Sequence, residues 1–593
     1  MRDRGIEDSR RGTVHMKLKY LTLPAAALAL AACSPSAPTE PAPAPEAPAA
    51  PAEELLLPLP DATAPEITAA DIGVRVKTLA DDVFEGRGPG TPTGEASAAW
   101  IAQELARIGL EPAGDDGTWY QQVEMVNQTI DPASSSLVLT WPDQEELSLD
   151  LKNQAVIWTK RQNTDHISFE PSDVVFVGYG AVAPEYEWDD YAGQDYTGKT
   201  VLILVNDPGF ATEDPELFNG KSMTYYGRWT YKYEEAARQG ATAAIVIHET
   251  EPAAYGWDVV ANSWTGAQSD LVRPNGGEDR AMMEGWVQRD IAVEMFAKAG
   301  LDFEEMKAAA KTPGFQPVAL EGVKARGEIH QTIDKLTSRN VAGVLPGTTT
   351  PDEYVLYTAH WDHLGMKTGA PGEDFYEDQI YNGAVDNATG AAGILEIAEA
   401  MKAQTLQRSA MFLFVTLEES GLLGSEYFAN NPTIPLNKVV AGINLDGALP
   451  MGRTKDMTVI GFGASELEDI LKEVLVAYDR IVTPDGRPEA GYFYRSDHIS
   501  LAKKGVPMLY AGEGEDKREG GIAAGRAAAA AYTAERYHKP MDEYSDDWDL
   551  SGFEEDLQAL YDVGLRIANS DTWPTWYPGN EFEAARKESL AGE

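Results

Sequence analysis

From residue 69 onward the chain carries apolar side chains at helical spacing. Residues 69–79 and 94–110 place them three and four apart, and the second run closes at Gly109, a helix-capping residue type. Residues 98–105 read as a helix face packed on a sheet. Between about 130 and 335 the period shortens: β-like runs at 136–140, 173–177 and 200–205 are separated by Gly, Asp and Pro turns. A helix is expected over 231–239, stopped by Gly240, followed by a strand over 243–247 with His248 at its polar end. From 338 strands and helices alternate, with strands at 340–345, 354–358, 410–417, 439–445, 457–461 and 506–510. Helices are expected at 390–401, 466–478 and 522–537. Apolar strands separated by helices predict an α/β fold: a mixed β-sheet flanked by helices on both faces. Ligand sites in such sheets gather beyond the carboxyl ends of the strands.

Those strand ends are where the chemistry lies. The strand over 354–358 runs into Ala359-His360-Trp361-Asp362-His363. His360 and Asp362 are two apart, so an extended backbone puts them on one side, and the carboxylate is expected to take the second ring N–H of His360. Asp386 follows Gly383 and precedes a helix. The apolar run 412–417 ends in the adjacent acids Glu418-Glu419, the run 440–445 ends in Asp446, and His538 follows the last helix. Acids at strand ends are often helix caps or loop polars. Two adjacent carboxylates ending a buried strand, however, repel each other and resist desolvation, which places them at a cation or in solvent. Two divalent cations would bring four positive charges; Asp386, Glu419 and Asp446 supply three negative ones and a bridging hydroxide the fourth. Nitrogen and oxygen donors suit two zinc ions, with cobalt or manganese as substitutes.

Composition narrows the picture. At 593 residues the chain exceeds one hydrophobic core, and 43% hydrophobic with 9% aromatic residues suits a globular protein. The 48 Lys and Arg against 95 Asp and Glu give a formal charge of -47, which excludes nucleic acid as a partner on electrostatic grounds. Lys17 and Lys19 precede an apolar run, 21–32, that ends Leu30-Ala31-Ala32-Cys33, the arrangement of a secretory signal. That run is shorter than the ~20 residues a membrane-spanning helix needs. It resembles a bacterial lipoprotein signal in which Cys33, the only cysteine, is lipidated and becomes the first mature residue. The resemblance implies a periplasm-facing lipoprotein of the cell envelope, at the outer membrane of a Gram-negative bacterium, attached to the membrane only through that lipid. Pro, Ala and Glu then dominate a spacer too poor in apolar surface to fold. The expected organisation is a signal and lipidation site at 1–33, a linker at 34–60, a first catalytic-domain segment at 61–129, an inserted β-rich domain at 130–335, and the main catalytic-domain segment at 336–593.

The order His360-x-Asp362, Asp386-Asn387, Glu418-Glu419 with Gly421, Asn444-Leu445-Asp446 and Tyr537-His538 resembles the M28 family of zinc peptidases over about 66–128 and 335–575. The resemblance implies a zinc-exopeptidase fold in which Asp386 bridges two metals. His360 and Asp446 complete one site, Glu419 and His538 the other, and Glu418 is the general base. Phe176-Val177-Gly178-Tyr179-Gly180, Asp190-Tyr191, Gly198-Lys199 and Asn206-Asp207-Pro208-Gly209 resemble the protease-associated domain that shapes the substrate cleft in such peptidases. A tyrosine that contacts the tetrahedral intermediate in relatives corresponds to Phe493 here, so Tyr494 and Tyr492 become its alternatives, and His498 is expected beside the pocket. Peptides are the implied substrates. The acids Glu373, Asp374, Glu377 and Asp378 favour an aminopeptidase by offering acceptors for a free amine. Arg453, Arg487 and Arg495 keep open a glutamate carboxypeptidase-like reading. A non-catalytic envelope binding module is the alternative of another class.

Overall fold

The computed structural model describes residues 58–60, 62–143, 145–263, 266–367 and 377–591. The leader, Cys33 and the spacer as far as residue 57 lie outside the described residues, as do Glu373 and Asp374. Among the described residues no helix is long and apolar enough to cross a membrane.

The fold is α/β around a mixed sheet. Thr350–His360 sits between Arg408–Val415 and Val439–Asn444, parallel to both; Met508–Glu513 extends the parallel set beyond Val439–Asn444. Asp456–Ile460 then joins antiparallel, with Ile481–Pro484 at that edge. On the other side Arg408–Val415 pairs antiparallel with the end of a long strand, Val318–Leu345. The sequence dictates two buried faces because side chains alternate across a strand. Val355, Tyr357, Ala359, Phe412 and Phe414 face one core with the helices Ala69–Leu79, Pro92–Ile108, Thr389–Lys402 and Ser551–Ala568. Leu356, Met411, Leu413 and Val415 face the other, under Leu423–Asn430 and His498–Ala502. Each fully buried Phe or Leu contributes about 1.5–3 kcal/mol over an exposed one, so a one-residue slip of these strands is strongly disfavoured. Gly109 caps its helix with φ 93°, as its position suggests.

The inserted region has its own sheet, with Thr200–Leu204, Ala243–His248 and Met283–Gln288 parallel at its centre. It is not simply β-rich: the helices Trp229–Arg238, Arg289–Lys298 and Phe303–Ala310 belong to it. The largest departure from the expected organisation is the strand Val318–Leu345. Its first part pairs with Ser136–Thr140 and His166–Phe176, its middle with Tyr120–Ile130, and its end with Arg408–Val415. One strand therefore serves both sheets. Only its last residues show as an apolar run, because its earlier positions alternate between burial and exposure.

Candidate metal centre

Three strand ends and two loops meet at one edge of the main sheet. His360 is the last residue of its strand and fully buried. Its Nδ1–H donates to the backbone carbonyl of Asp362 at 3.1 Å. A carbonyl only accepts, so this bond puts the ring proton on Nδ1 and turns the Nε2 lone pair toward the acids, the form a metal requires. The Asp362 carboxylate, expected to make that contact, lies 3.8 Å away and instead accepts the backbone N–H of Glu418 at 3.2 Å. Asp362 therefore fixes the Glu418 loop, and the carbonyl takes its place at the histidine because the chain leaves the strand there.

His360 Nε2 lies 3.1 Å from Asp446 Oδ1, 3.3 Å from Asp386 Oδ1 and 3.9 Å from Glu418 Oε2. His538 Nε2 lies 3.3 Å from Asp386 Oδ2 and 3.2 Å from Glu419 Oε2. The two oxygens of Asp386 thus face different histidines, which is the disposition of a shared carboxylate. The segments expected to supply ligands converge, and Glu418 lies beside them without an arginine or lysine partner among the described residues.

Several supporting contacts join segments far apart in sequence. Asp542 accepts the backbone N–H groups of Val385 and Asp386 at 3.1 Å each. Asn387 donates to Leu445 O at 3.0 Å and accepts from the N–H groups of Gly390 and Gly447, tying the Asp386 turn to the Asp446 loop. Arg87, buried, donates to the carbonyls of Trp361, Asn382 and Gly383 and so clamps the His360 and Asp386 loops. Gly383 has φ 52°, and a Cβ there would stand 2.1 Å from Asp386 O and 2.5 Å from the His363 ring. His363 is the residue the sequence reading passed over. It is buried, with Nδ1 2.5 Å from Glu419 Oε1, and with Asp386 and Glu419 it forms a second metal-compatible group beside His360, Glu418 and Asp446. Its signal was present, three residues after His360, but a third histidine-bearing position has no fixed spacing to announce it.

The electrostatics test whether these residues suit a cation. Burial pushes the Glu418 carboxyl well above its ordinary range against the pull of His360, and burial raises Asp362 to about 7. Burial lowers the histidines, but the surrounding acids outweigh it, holding His360 well above its usual range and His538 at about 9. Burial likewise opposes ionisation of Asp386, yet His360 and His538 hold it well below the normal value. His363 Nε2 is buried with no hydrogen-bond partner among the described residues, while His363 Nδ1 and Glu419 Oε1 face each other in close contact, a carboxylate against an imidazole nitrogen. Several kcal/mol of desolvation per buried ion is left to be offset, and orphaned donor atoms facing one another are what divalent cations would satisfy. The nitrogen and oxygen donors present fit zinc.

The remaining predicted contacts fall differently. His498 is packed between Phe493 and Tyr510, ring centroids 4.6 and 5.1 Å away, and burial pushes its pKa down to about 3. It stands outside the acid–histidine groups. Tyr494 donates its hydroxyl to Glu581 and Tyr492 accepts from Arg487 at 2.5 Å, so both phenols are engaged by residues outside the acid–histidine groups. Tyr537 instead stacks on His538 at 3.9 Å and lines the cleft. Glu377 and Asp378 are exposed and do not line it.

The cleft is a cavity of about 630 Å³ bounded on one side by Glu418, Glu419, Tyr537 and His538 and on the other by Tyr225, Arg228 and Tyr255 of the inserted region. Arg495 also lines it, whereas Arg453 pairs with Glu555. The Nε atoms of Arg228 and Arg495 are buried without a hydrogen-bond partner, and among the described residues neither guanidinium has an ion pair. Burial first, and then the neighbouring Arg495, pushes Arg228 down to about 10.

Known proteins resemble parts of this chain. Aminopeptidase NAALADL1 of Mus musculus is 32% identical over 143 residues, 23% of this chain and 17% of that protein. A probable zinc metalloprotease of Pyrenophora teres f. teres is 28% identical over 151 residues, 25% of this chain and 31% of its own length. The chain thus spans less than a third of either relative. Among solved structures, the aminopeptidase from Aneurinibacillus sp. strain AM-1 aligns at 17% identity and TM-score 0.47, over 86% of this chain and 96% of that one. A zinc aminopeptidase from Bacillus subtilis aligns at 17% identity and TM-score 0.38, over 86% and 97%. Residues 340–558, which hold His360, His363, Asp386, Glu418, Glu419, Asp446 and His538, match the model of Peptidase family M28.

Proposed function

We propose that the chain is a dinuclear-zinc exopeptidase that releases N-terminal residues from short peptides. The observation that carries this reading is Asp386, whose two oxygens each lie 3.3 Å from a different histidine, with Glu418 beside the first. His360, Asp386 and Asp446 would hold one ion, and Asp386, Glu419 and His538 the other, with His363 behind Glu419. Bound zinc supplies Lewis acidity toward the scissile carbonyl and acidifies water. Glu418 takes the proton of the attacking water and returns it to the leaving amine. Asp362 steadies Glu418 through the Glu418 backbone N–H, and Tyr537, which lines the cleft beside His538, is the tyrosine we assign to the developing oxyanion.

A carboxypeptidase is the second reading, and Arg228 with Arg495 favours it. In a chain with twice as many acids as bases, two neighbouring unpaired arginines on the cleft wall suit a carboxylate. The deciding experiment compares free, N-acetylated and C-amidated peptides before and after chelation and zinc return. Chelator-sensitive N-terminal release, blocked by acetylation alone, supports the first reading; C-terminal release blocked by amidation alone supports the second. No cleavage by zinc-loaded protein removes both and leaves an envelope binding module. We also propose anchoring through Cys33, resting on the leader sequence alone; fatty-acid labelling of wild-type protein but not of Cys33→Ser is the expected outcome.

A further inference from the structure

We propose that His166, Glu328 and His330 form a separate surface site for a divalent transition-metal ion, outside the cleft. His166 and His330 are direct partners on antiparallel strands, so their side chains share a face, and Glu328, two residues before His330, shares it too. The two imidazole rings stack with centroids 4.4 Å apart and planes 19° apart. Both Nε2 atoms point at one oxygen: His166 lies 3.0 Å and His330 3.1 Å from Glu328 Oε1. The three ligand atoms lie within 4.8 Å of one another.

Zinc–nitrogen and zinc–oxygen bonds of about 2.0–2.2 Å separate neighbouring tetrahedral ligands by roughly 3.3 Å. The group is therefore close to the spacing a bound ion requires and needs only small side-chain movements. Two imidazoles and one carboxylate select zinc, copper, nickel or cobalt over magnesium and calcium, which prefer all-oxygen shells. All three side chains are about half exposed, so an ion enters freely and keeps a position open to solvent.

The placement gives the site a consequence. Glu328 and His330 pair with Ser168 and His166 of the inserted sheet, while Gln331 begins the pairing with Ile130. An ion here fastens His166–Phe176 to the long strand where that strand passes from one sheet to the other. The inserted region also supplies one wall of the cleft, so this junction helps fix that wall.

The test is zinc titration of chelator-stripped full-length protein by calorimetry and elemental analysis. Wild type is expected to bind one equivalent more than His166→Ala/His330→Ala, with micromolar or tighter affinity, and to gain several degrees of Tm that the double variant does not gain. Glu328→Gln, which keeps shape and both imidazoles, should weaken that equivalent at least tenfold. Equal stoichiometry in wild type and the double variant, or an equivalent that appears only at millimolar zinc, overturns the proposal. The cleft is scored separately through Asp386→Asn, which leaves this equivalent in place.

Discussion

The main sheet and the inserted sheet are built alike, with parallel central strands, apolar on both faces and ending in polar residues, yet their strand-end acids have opposite fates. In the inserted sheet, Thr200–Leu204 leads to Asp207, which is buried and fully served: Oδ2 accepts from the N–H and hydroxyl of Thr224 at 2.9 and 2.8 Å, and Oδ1 accepts from the N–H of Phe210 at 3.2 Å. Its local role is that of a helix cap. In the main sheet, Glu418, Glu419 and Asp446 follow their strands facing histidine ring nitrogens and one another, with no backbone N–H or hydroxyl donor on Glu419 among the described residues. Burial is common to both regions; what separates the structural acid from the proposed metal-binding ones is that backbone N–H and hydroxyl donors serve Asp207, whereas histidine nitrogens, themselves metal donors, face Glu419 and Asp446.

The sharpest test removes the shared carboxylate. Asp386→Asn should lower zinc stoichiometry in the cleft and bring peptide hydrolysis to background, while Asp207→Asn keeps its zinc; elemental analysis and peptide assays read both. Full zinc retention in Asp386→Asn would end the contrast between the two sheets. Glu418→Gln comes next. It should keep zinc and lose roughly 10²- to 10⁴-fold in turnover, the usual contribution of a general base; wild-type turnover in zinc-loaded Glu418→Gln protein would return Glu418 to a structural role. Asp542→Asn acts one step further out, loosening the Asp386 turn it holds through two backbone N–H groups. Zinc affinity is expected to fall about 10- to 100-fold, as for outer-shell partners elsewhere, measured by competition with a chromogenic chelator.

The same contrast explains what the sequence makes legible. Acids at the ends of apolar strands can be read directly, because local pattern places a strand end and the lack of a local cap marks the acid as unusual. His360, Glu418-Glu419 and Asp446 stood at such positions, whereas Asp386 lay in a turn before a helix and His538 after one, and the family resemblance joined them into one set. Arg87 and Asp542 could not be read this way, since each acts on backbone groups more than 150 residues distant. The strand Val318–Leu345 escaped for a related reason: its half-exposed first part has no sustained apolar run, and its length is set by partners in two sheets. The helices of the inserted region were underread because short Gly-, Asp- and Pro-rich segments dominate its texture.

The smallest expected effect concerns Asp207 and turns the comparison into a pH dependence. Burial raises its carboxyl to about 6, against the hydrogen bonds from Thr224 and the charge of Lys232, from an ordinary value of 3.8. The folded state therefore binds more protons than the unfolded chain between these values. Stability contributed by this group is full below about pH 4, falls as pH rises toward 6, and is level above it. At about 1.4 kcal/mol per pH unit, the loss across that window is on the order of 2–3 kcal/mol. Asp207→Asn should remove this slope while lowering stability overall, because an amide cannot accept all three donors at that position. Urea unfolding of wild type and Asp207→Asn at pH 4, 5, 6 and 7 reads the difference. Parallel curves would show that the hydrogen bonds fully offset burial and that Asp207 is an ordinary ionised cap; converging slopes above pH 6 would show a strand-end acid whose proton answers the desolvation that a bound cation would answer at Asp386.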